Sequence, residues 1–516
     1  MGSSSLNNRQ TFCMLSCILL LAGFFRLYKL GEIPPGLFYD EAFFGNLGYC
    51  LLTTGKDLNG ALLPLVSYSH LAFVLPLQMY PVAGSVFLFG PNEFAVRIIP
   101  AAVGILIVLS TFFLARLLFN NNIIGLISSL LVAVSPWHIV YSRIGFVHTF
   151  QPTLFLMLSM CLFLKGLQGS PRYLVYSGFA AGMGFFSYFL AHLFVPFFIF
   201  GFHYLVYSRV KKLNYTKHYR LFISAIIMMF LLSLLITKIS GIDLERIPGP
   251  PTSESISDLA RNIRGLAYTI FIPSGNLEML PQSNVSYTYY YVYIPLSLAG
   301  ILLLLKDRRM ESTLILYWLI LSLVLSALVS DTSHGALRRF YTSAGPVLDI
   351  IAAYGIYRIL LYYRSRRKIL LFLSALITIS LALGACQFYA SYFIYQPYLI
   401  ETETAFMTPA KDVFAYTESV KDRYDKIVFT KDFALKNDVL ISPEKVYTTS
   451  DLAIEDYQLF YAKRCAYDAK YVLDNVSSYP MDGKTLLVAR SYELANATPL
   501  MVFYHRNGEV AYKIIA

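Results

Sequence analysis

The residues best suited to do chemistry lie in "GLFYDEAFFG", Gly36 to Gly45, where Asp40 and Glu41 stand side by side among Phe38, Tyr39, Phe43 and Phe44. A carboxylate kept partly dry by aromatic rings is costly unless a cation meets it or a reaction uses it. Neighbours on a helix point about 100° apart. One acid can therefore face a cavity while the other contacts a different group. The plain alternative is a pair of solvated loop acids. Four arginines complete the pattern: Arg97 in "NEFAVRIIP", Arg143 in "SPWHIVYSRIGF", and Arg338 with Arg339 in "SHGALRRFY". A guanidinium fork makes paired, charge-assisted hydrogen bonds to phosphate. Any single one of these arginines also reads as an interfacial anchor. Arg26 and Lys29 are two more cations that can help hold an anion. His70 and His334 are candidates for positioning a substrate, while the histidines as a set are too scattered for a zinc helix. There is no GxxxxGK[ST] nucleotide loop and no GxSxG elbow.

The elements that must position these residues are membrane helices. Of 516 residues 56% are hydrophobic and only 14% charged, against roughly a quarter charged in a soluble chain. The net charge of +11 lies mainly in short loops between apolar runs, which points to membrane topology and not to nucleic acid. A span needs about 20 mostly apolar residues, and the runs at 11–28, 94–118, 123–141, 150–167, 172–190, 192–208, 219–239, 287–305, 311–330, 342–362 and 368–390 qualify. The first of these reads as a retained span and not a cleaved signal. The segment 71–90 carries Pro76, Pro81, Gly84 and Gly90, and reads as a helix on, or dipping into, the outer face. Basic loops at 208–220, 306–310 and 362–368 place those ends in the cytoplasm. The expected fold is thus a polytopic α-helical membrane protein of about eleven spans. Its N-terminus is inside, and its outer juxtamembrane elements include a first loop at 29–93 and a second at 240–286.

Residues 1–394 form the membrane domain on this reading, and 395–516 a soluble extracytoplasmic α/β domain. There "YDKIVFT" and "KTLLVAR" predict strands, and "MVFYHRNGEVAYKI" predicts a hairpin turning at Asn507-Gly508. The cysteines Cys13, Cys17, Cys50, Cys161, Cys386 and Cys465 form no CxxC pair, and read as small apolar residues without a disulfide framework. Asn284, Asn475 and Asn496 head NxS/T triplets on the outer side. Such triplets take glycan only in a cell that glycosylates them.

In this order the motifs resemble those of GT-C membrane glycosyltransferases, closest to the branch of protein O-mannosyltransferases and lipid A aminoarabinose transferases. The resemblance is carried by "PPGLFYDEA", "TGKD" at 54–57, "FGPNEFAVRIIPAAVG", "SPWHIVYSRIGF" and "SHGALRRFYTSAGPVLDIIAAYGI", and covers roughly 10–390. It implies an inverting transferase that moves a sugar from a polyprenyl-phosphate donor to a protein, lipid or glycan acceptor on the extracytoplasmic face of a cell membrane. Asp40 matches the general base, and Glu41 the neighbour that holds the acceptor or shapes the site. Arg97, Arg143 and one of Arg338 and Arg339 match cations for the departing lipid phosphate. Lys56, Asp57 and Tyr341 are further candidates for positioning substrate. The branch resembled is generally metal-independent and uses no nucleotide, so no cofactor is expected. Two departures stand out: an apolar run after "TGKD", and "HGALRRF" in place of the branch's HPRY-like motif. Other classes remain open at this level. A lipid-linked-sugar flippase would place ionisable residues at mid-membrane in broken helices. A polymerase or ligase would use a lipid-linked oligosaccharide. A non-catalytic scaffold would not need the acid–arginine set.

Overall fold

The computed structural model describes residues 7–68, 73–145, 151–240, 256–271, 292–307, 309–329, 339–340, 342–430, 459–461, 463–465, 470–474, 483–491, 493 and 498–516. The chain opens with α1 (Asn8–Leu27), whose N-cap Asn7 exchanges hydrogen bonds with Gln10 as a capping box. Next come α2 (Tyr39–Thr54), a two-stranded ribbon of β1 (Ser67–Tyr68) and β2 (Phe73–Val74), and α3 (Pro76–Phe89). Helix α3 packs on α2 through Met79 and Ala83 against Phe43 and Leu47, with Val74 of β2 in the same cluster. At its far end Phe87, Leu88 and Phe89 are exposed.

Helix α4 (Glu93–Phe119) leads through "NNN" into α5 (Asn122–Val134). Asn120 ends α4 in the left-handed conformation, and the Asn121 side chain accepts the first amide bonds of α5. Helix α6 (Pro136–Arg143) follows at a 56° bend. Then come α7 (Gln151–Leu167), α8 (Arg172–Met183), α9 (Ala191–Lys212), α10 (Thr216–Ile239), α11 (Ile256–Phe271), α12 (Tyr293–Asp307), α13 (Met310–Leu328), α14 (Val347–Tyr362) and α15 (Arg367–Tyr389). One apolar core runs through these helices, with Trp318, Phe112 and Tyr354 among its largest buried side chains. Among the described residues, six helices are long and apolar enough to cross a membrane, or seven if α5 and α6 form one bent span. The other segments read as spans from the sequence also lie on helices, namely the shorter α7, α8, α12 and α14. The chain is a multi-pass membrane protein. Within 240–286 the described helix is the amphipathic α11, which buries Leu266 and Ile270 and leaves Arg261 exposed.

Beyond α15 lie the short α16 (Ile400–Ala405) and α17 (Ala410–Val420). Helix α17 packs through Val413 and Phe414 on a five-stranded sheet built from β3 (Lys426–Thr430), β4 (Tyr471–Asp474), β5 (Thr485–Arg490), β6 (Met501–Tyr504) and β7 (Val510–Ile515). The strand order is β4-β3-β5-β7-β6, with β3 parallel to β4 and β5, and β5-β7-β6 antiparallel. The strands and hairpin read from the sequence fall here, and Gly508 takes the positive φ that the turn requires. Strand β5 is buried along its whole length, as befits a strand in the middle of its sheet.

The cysteines depart from expectation. Cys50 on α2 and Cys465 in the C-terminal domain form a disulfide across 415 residues, with their Cα atoms 5.4 Å apart. Such a pairing leaves no local spacing to read. Cys13, Cys17, Cys161 and Cys386 are free.

Candidate active site

Helix α2 begins at Tyr39, so Asp40 and Glu41 are its second and third residues. Carboxylates are favoured there by the partial positive charge of the helix N-terminus. The two acids part company in their surroundings. Asp40 is half-buried, whereas Glu41 is wholly buried. Glu41 reaches back to the Phe38 amide (2.9 Å), which is half of a capping box. It also accepts from the Gly145 amide at 2.7 Å. Arg97 on α4 forks onto it, Nε to Oε1 at 2.7 Å and Nη2 to Oε2 at 3.0 Å. A Cβ on Gly145 would stand 3.0 Å from Glu41 Cγ, so glycine lets that backbone come close.

The remaining Arg97 donors go to backbone carbonyls, at Leu30 (3.3 Å), Pro34 (2.7 Å) and Gly36 (2.5 Å). All five N–H groups of this side chain are thereby used. Arg143 is equally buried. It donates to the carbonyls of Phe25 (3.0 Å), Lys29 (3.4 Å) and Ile33 (2.8 Å), and lies 4.8 Å from the Phe393 ring centroid. These acceptors include the end of α1, where carbonyls lack helical partners and the dipole favours a cation. Arg97 and Arg143 together hold the segment from Phe25 to Gly36 that leads into the acids. Neither guanidinium is exposed: every donor of Arg97 is used within the chain, as are the Nη groups of Arg143, while the buried Nε of Arg143 has no hydrogen-bond partner among the described residues.

Arg26 repairs a different defect. Pro136 has no N–H, so the Val132 carbonyl four residues earlier loses its helical partner. Arg26 donates to the carbonyls of Val132 and Ala133, each at 3.2 Å. Lys29, by contrast, is half exposed and pairs with Glu32 at 3.6 Å.

Of the expected substrate-positioning residues, Asp57 is buried and builds its own loop. It accepts from the amides of Asn59 (3.0 Å) and Ala61 (2.8 Å) and from Ser67 Oγ (2.8 Å). Lys56 is exposed beside it. Arg339 is half-buried at the start of a short helical turn. His70, His334, Arg338 and Tyr341 lie outside the described residues, as do Asn284, Asn475 and Asn496. Among the described residues no three His, Cys, Asp or Glu side chains gather as a metal site. A buried pair not read from the sequence, His138 on α6 and Asp349 on α14, stands 3.4 Å apart, Nε2 to Oδ2.

Residues 75–236 match the profile of a family described as dolichyl-phosphate-mannose-protein mannosyltransferase, a family of glycosyltransferases. No curated protein sequence matches the chain. Among solved structures, the chain is similar to ArnT from Cupriavidus metallidurans bound to undecaprenyl phosphate, at TM-score 0.60 and 11% identity over 99% of this chain and 98% of that one. The apo form of that protein gives 0.58 at 11% identity over 98% and 97%. The apo oligosaccharyltransferase of Archaeoglobus fulgidus gives 0.51 at 13% identity over 99% and 75%. The fold is that of the GT-C membrane glycosyltransferases. The fold is similar to that of ArnT, in line with the branch that the sequence motifs resemble.

Proposed function

We propose that this chain is an inverting membrane glycosyltransferase that moves a sugar from a polyprenyl-phosphate donor to an acceptor on the extracytoplasmic face. The observation that carries the reading is the division of labour between the two acids. Glu41 is locked in an ion pair with Arg97 and shapes the helix start, while Asp40, one residue away on the same rigid turn, stays half-buried. A single displacement at the anomeric carbon needs one base to take the acceptor proton as the new bond forms, and Asp40 is that base. The donor's C–O bond breaks and its electron pair leaves on the phosphate, which needs positive charge as it departs. Arg339, with Arg338 beside it in sequence, is assigned that role. Arg97 and Arg143 act indirectly, by fixing the backbone before Asp40. The reaction as written needs no metal or nucleotide.

The similarity to a protein whose structure holds undecaprenyl phosphate supports a lipid-phosphate donor. The Cys50–Cys465 disulfide supports placing the start of the first outer loop and the C-terminal domain in an oxidising compartment. On this topology the N-terminus is cytoplasmic and the domain from about 395 onward is extracytoplasmic. The test is transfer by purified protein in lipid, using radiolabelled polyprenyl-phosphate sugars and a crude envelope acceptor fraction. Label passing to acceptor supports the reading. Labelled lipid crossing the bilayer with no transfer would replace it by a flippase.

A further inference from the structure

The C-terminal domain does not merely lie beside the acid-bearing helix. Leu37, Ala42 and Val96, from the first outer loop and α4, are fully buried in the same cluster as Phe414, Ile427, Phe460 and Leu486 of that domain. Three contacts bracket Asp40. Before it, a Cβ on Gly36 would collide with the Phe406 carbonyl oxygen and lie 2.9 Å from Thr408 Cα, and Thr408 Oγ1 donates to the Pro35 carbonyl at 3.1 Å. Beyond it, a Cβ on Gly45 would lie 2.5 Å from Cε2 of Phe460, so the ring rests directly on the helix backbone. One turn further, Cys50 is bonded to Cys465. Lys411 pairs with Glu93 at 3.0 Å and ties α17 to the start of α4.

We propose that the C-terminal domain is a positioning element of the active site, with Phe460 as the positioning residue and the Cys50–Cys465 disulfide as the latch that seats it. The proposal rests on Asp40 as the base. Phe460 and Cys465 are only five residues apart in the chain, and they grip α2 at Gly45 and Cys50, on the helix whose first turn carries Asp40. A helix clamped at both ends of this stretch holds its carboxylate in one place. Opening the bond at Cys465 leaves Phe460 held by packing alone. A base displaced by about 1 Å loses as much as a hundredfold in rate.

The latch is opened by a phosphine reductant. The S–S bond breaks, the phosphine is oxidised to its oxide with oxygen from water, and Cys50 and Cys465 each leave as a thiol. Oxidised glutathione closes it again by thiol–disulfide exchange. The experiment uses full-length protein in lipid and reads two quantities: transfer kinetics, and hydrogen exchange of the amides at 37–46. On reduction, kcat is expected to fall by at least about fivefold with donor KM within about twofold, together with faster exchange at 37–46. Oxidised glutathione restores both. The Cys50→Ser/Cys465→Ser variant sits at the reduced level whether or not reductant is present. Phe460→Ala lowers kcat in the oxidised state, and Phe460→Leu recovers most of it. An unchanged kcat in reduced wild type overturns the proposal, as does a fall in kcat without faster exchange at 37–46. If oxidised wild type transfers no sugar at all, the reaction is wrong and the exchange measurement decides the latch alone: protection that survives both reduction and Phe460→Ala overturns it.

Discussion

The guanidinium of Arg97 grips both carboxylate oxygens of Glu41, at 2.7 and 3.0 Å, with neither side chain exposed. The pair joins α4 to the first turn of α2. On the proposed reading, Glu41 fixes that turn and Asp40, its neighbour, is the base.

Removing one partner of this pair leaves a buried, uncompensated charge. Arg97→Leu is expected to destabilise the protein by about 3–5 kcal/mol, read as loss of monodisperse protein after heating in detergent. The double variant Glu41→Leu/Arg97→Leu is expected to be less harmful than Arg97→Leu alone, because no charge is stranded. A double variant at least as unstable as the single one would mean that the pair is not coupled as described.

The bond from Arg26 to the Val132 carbonyl makes a second claim about stability. Arg26→Ala is expected to cost about 1–3 kcal/mol through unsatisfied buried carbonyls. Pro136→Ala in that background is expected to recover part of the loss, since the new N–H can close the helical bond to Val132. The same heating assay checks this, and additive losses in the double variant would refute the repair role.

Kinetics separate the arginines. Arg338→Ala or Arg339→Ala is expected to lower kcat/KM for the donor at least about tenfold, or 1.4 kcal/mol, without changing stability. If both variants keep wild-type kinetics, the phosphate is held elsewhere.

Topology is checked from outside the cell. A tag placed after Ala516 is expected to react with a membrane-impermeant reagent on intact cells, stripped of an outer membrane where there is one. Reaction only after lysis would put the C-terminal domain, and the Cys50–Cys465 bond with it, on the wrong side.

Much of this was legible in the chain because hydrophobicity over about 20 residues is a strong local signal. In its described residues every segment read as a span contains a helix, that at 123–141 being bent into two, and the strands at 426–430 and 485–490 follow from their β-branched and aliphatic runs. The 100° step between neighbours allows the two acids different surroundings, and Glu41 is buried on Arg97 while Asp40 is half-buried. What the sequence could not carry was partner identity. Arg97 and Arg143 look like phosphate ligands by residue type, and only the folded chain shows the carbonyls of 25–36 that they hold. Arg26 was noted as a cation, but its partner is a carbonyl freed by a proline 110 residues away, for which "SPW" alone gives half the clue. Cys50 and Cys465 meet only because the C-terminal domain folds back over α2. The glycines at 36, 45 and 145 record these approaches in the sequence, though without naming what approaches.

The most direct test of the central claim compares wild type with Asp40→Asn in the lipid transfer assay, with binding of labelled donor measured on the same preparations. The amide keeps the size of the side chain and removes the base. Transfer is expected to fall by about 100-fold to 10,000-fold with donor binding retained. Turnover near that of wild type by Asp40→Asn would contradict the assignment of Asp40 as the base.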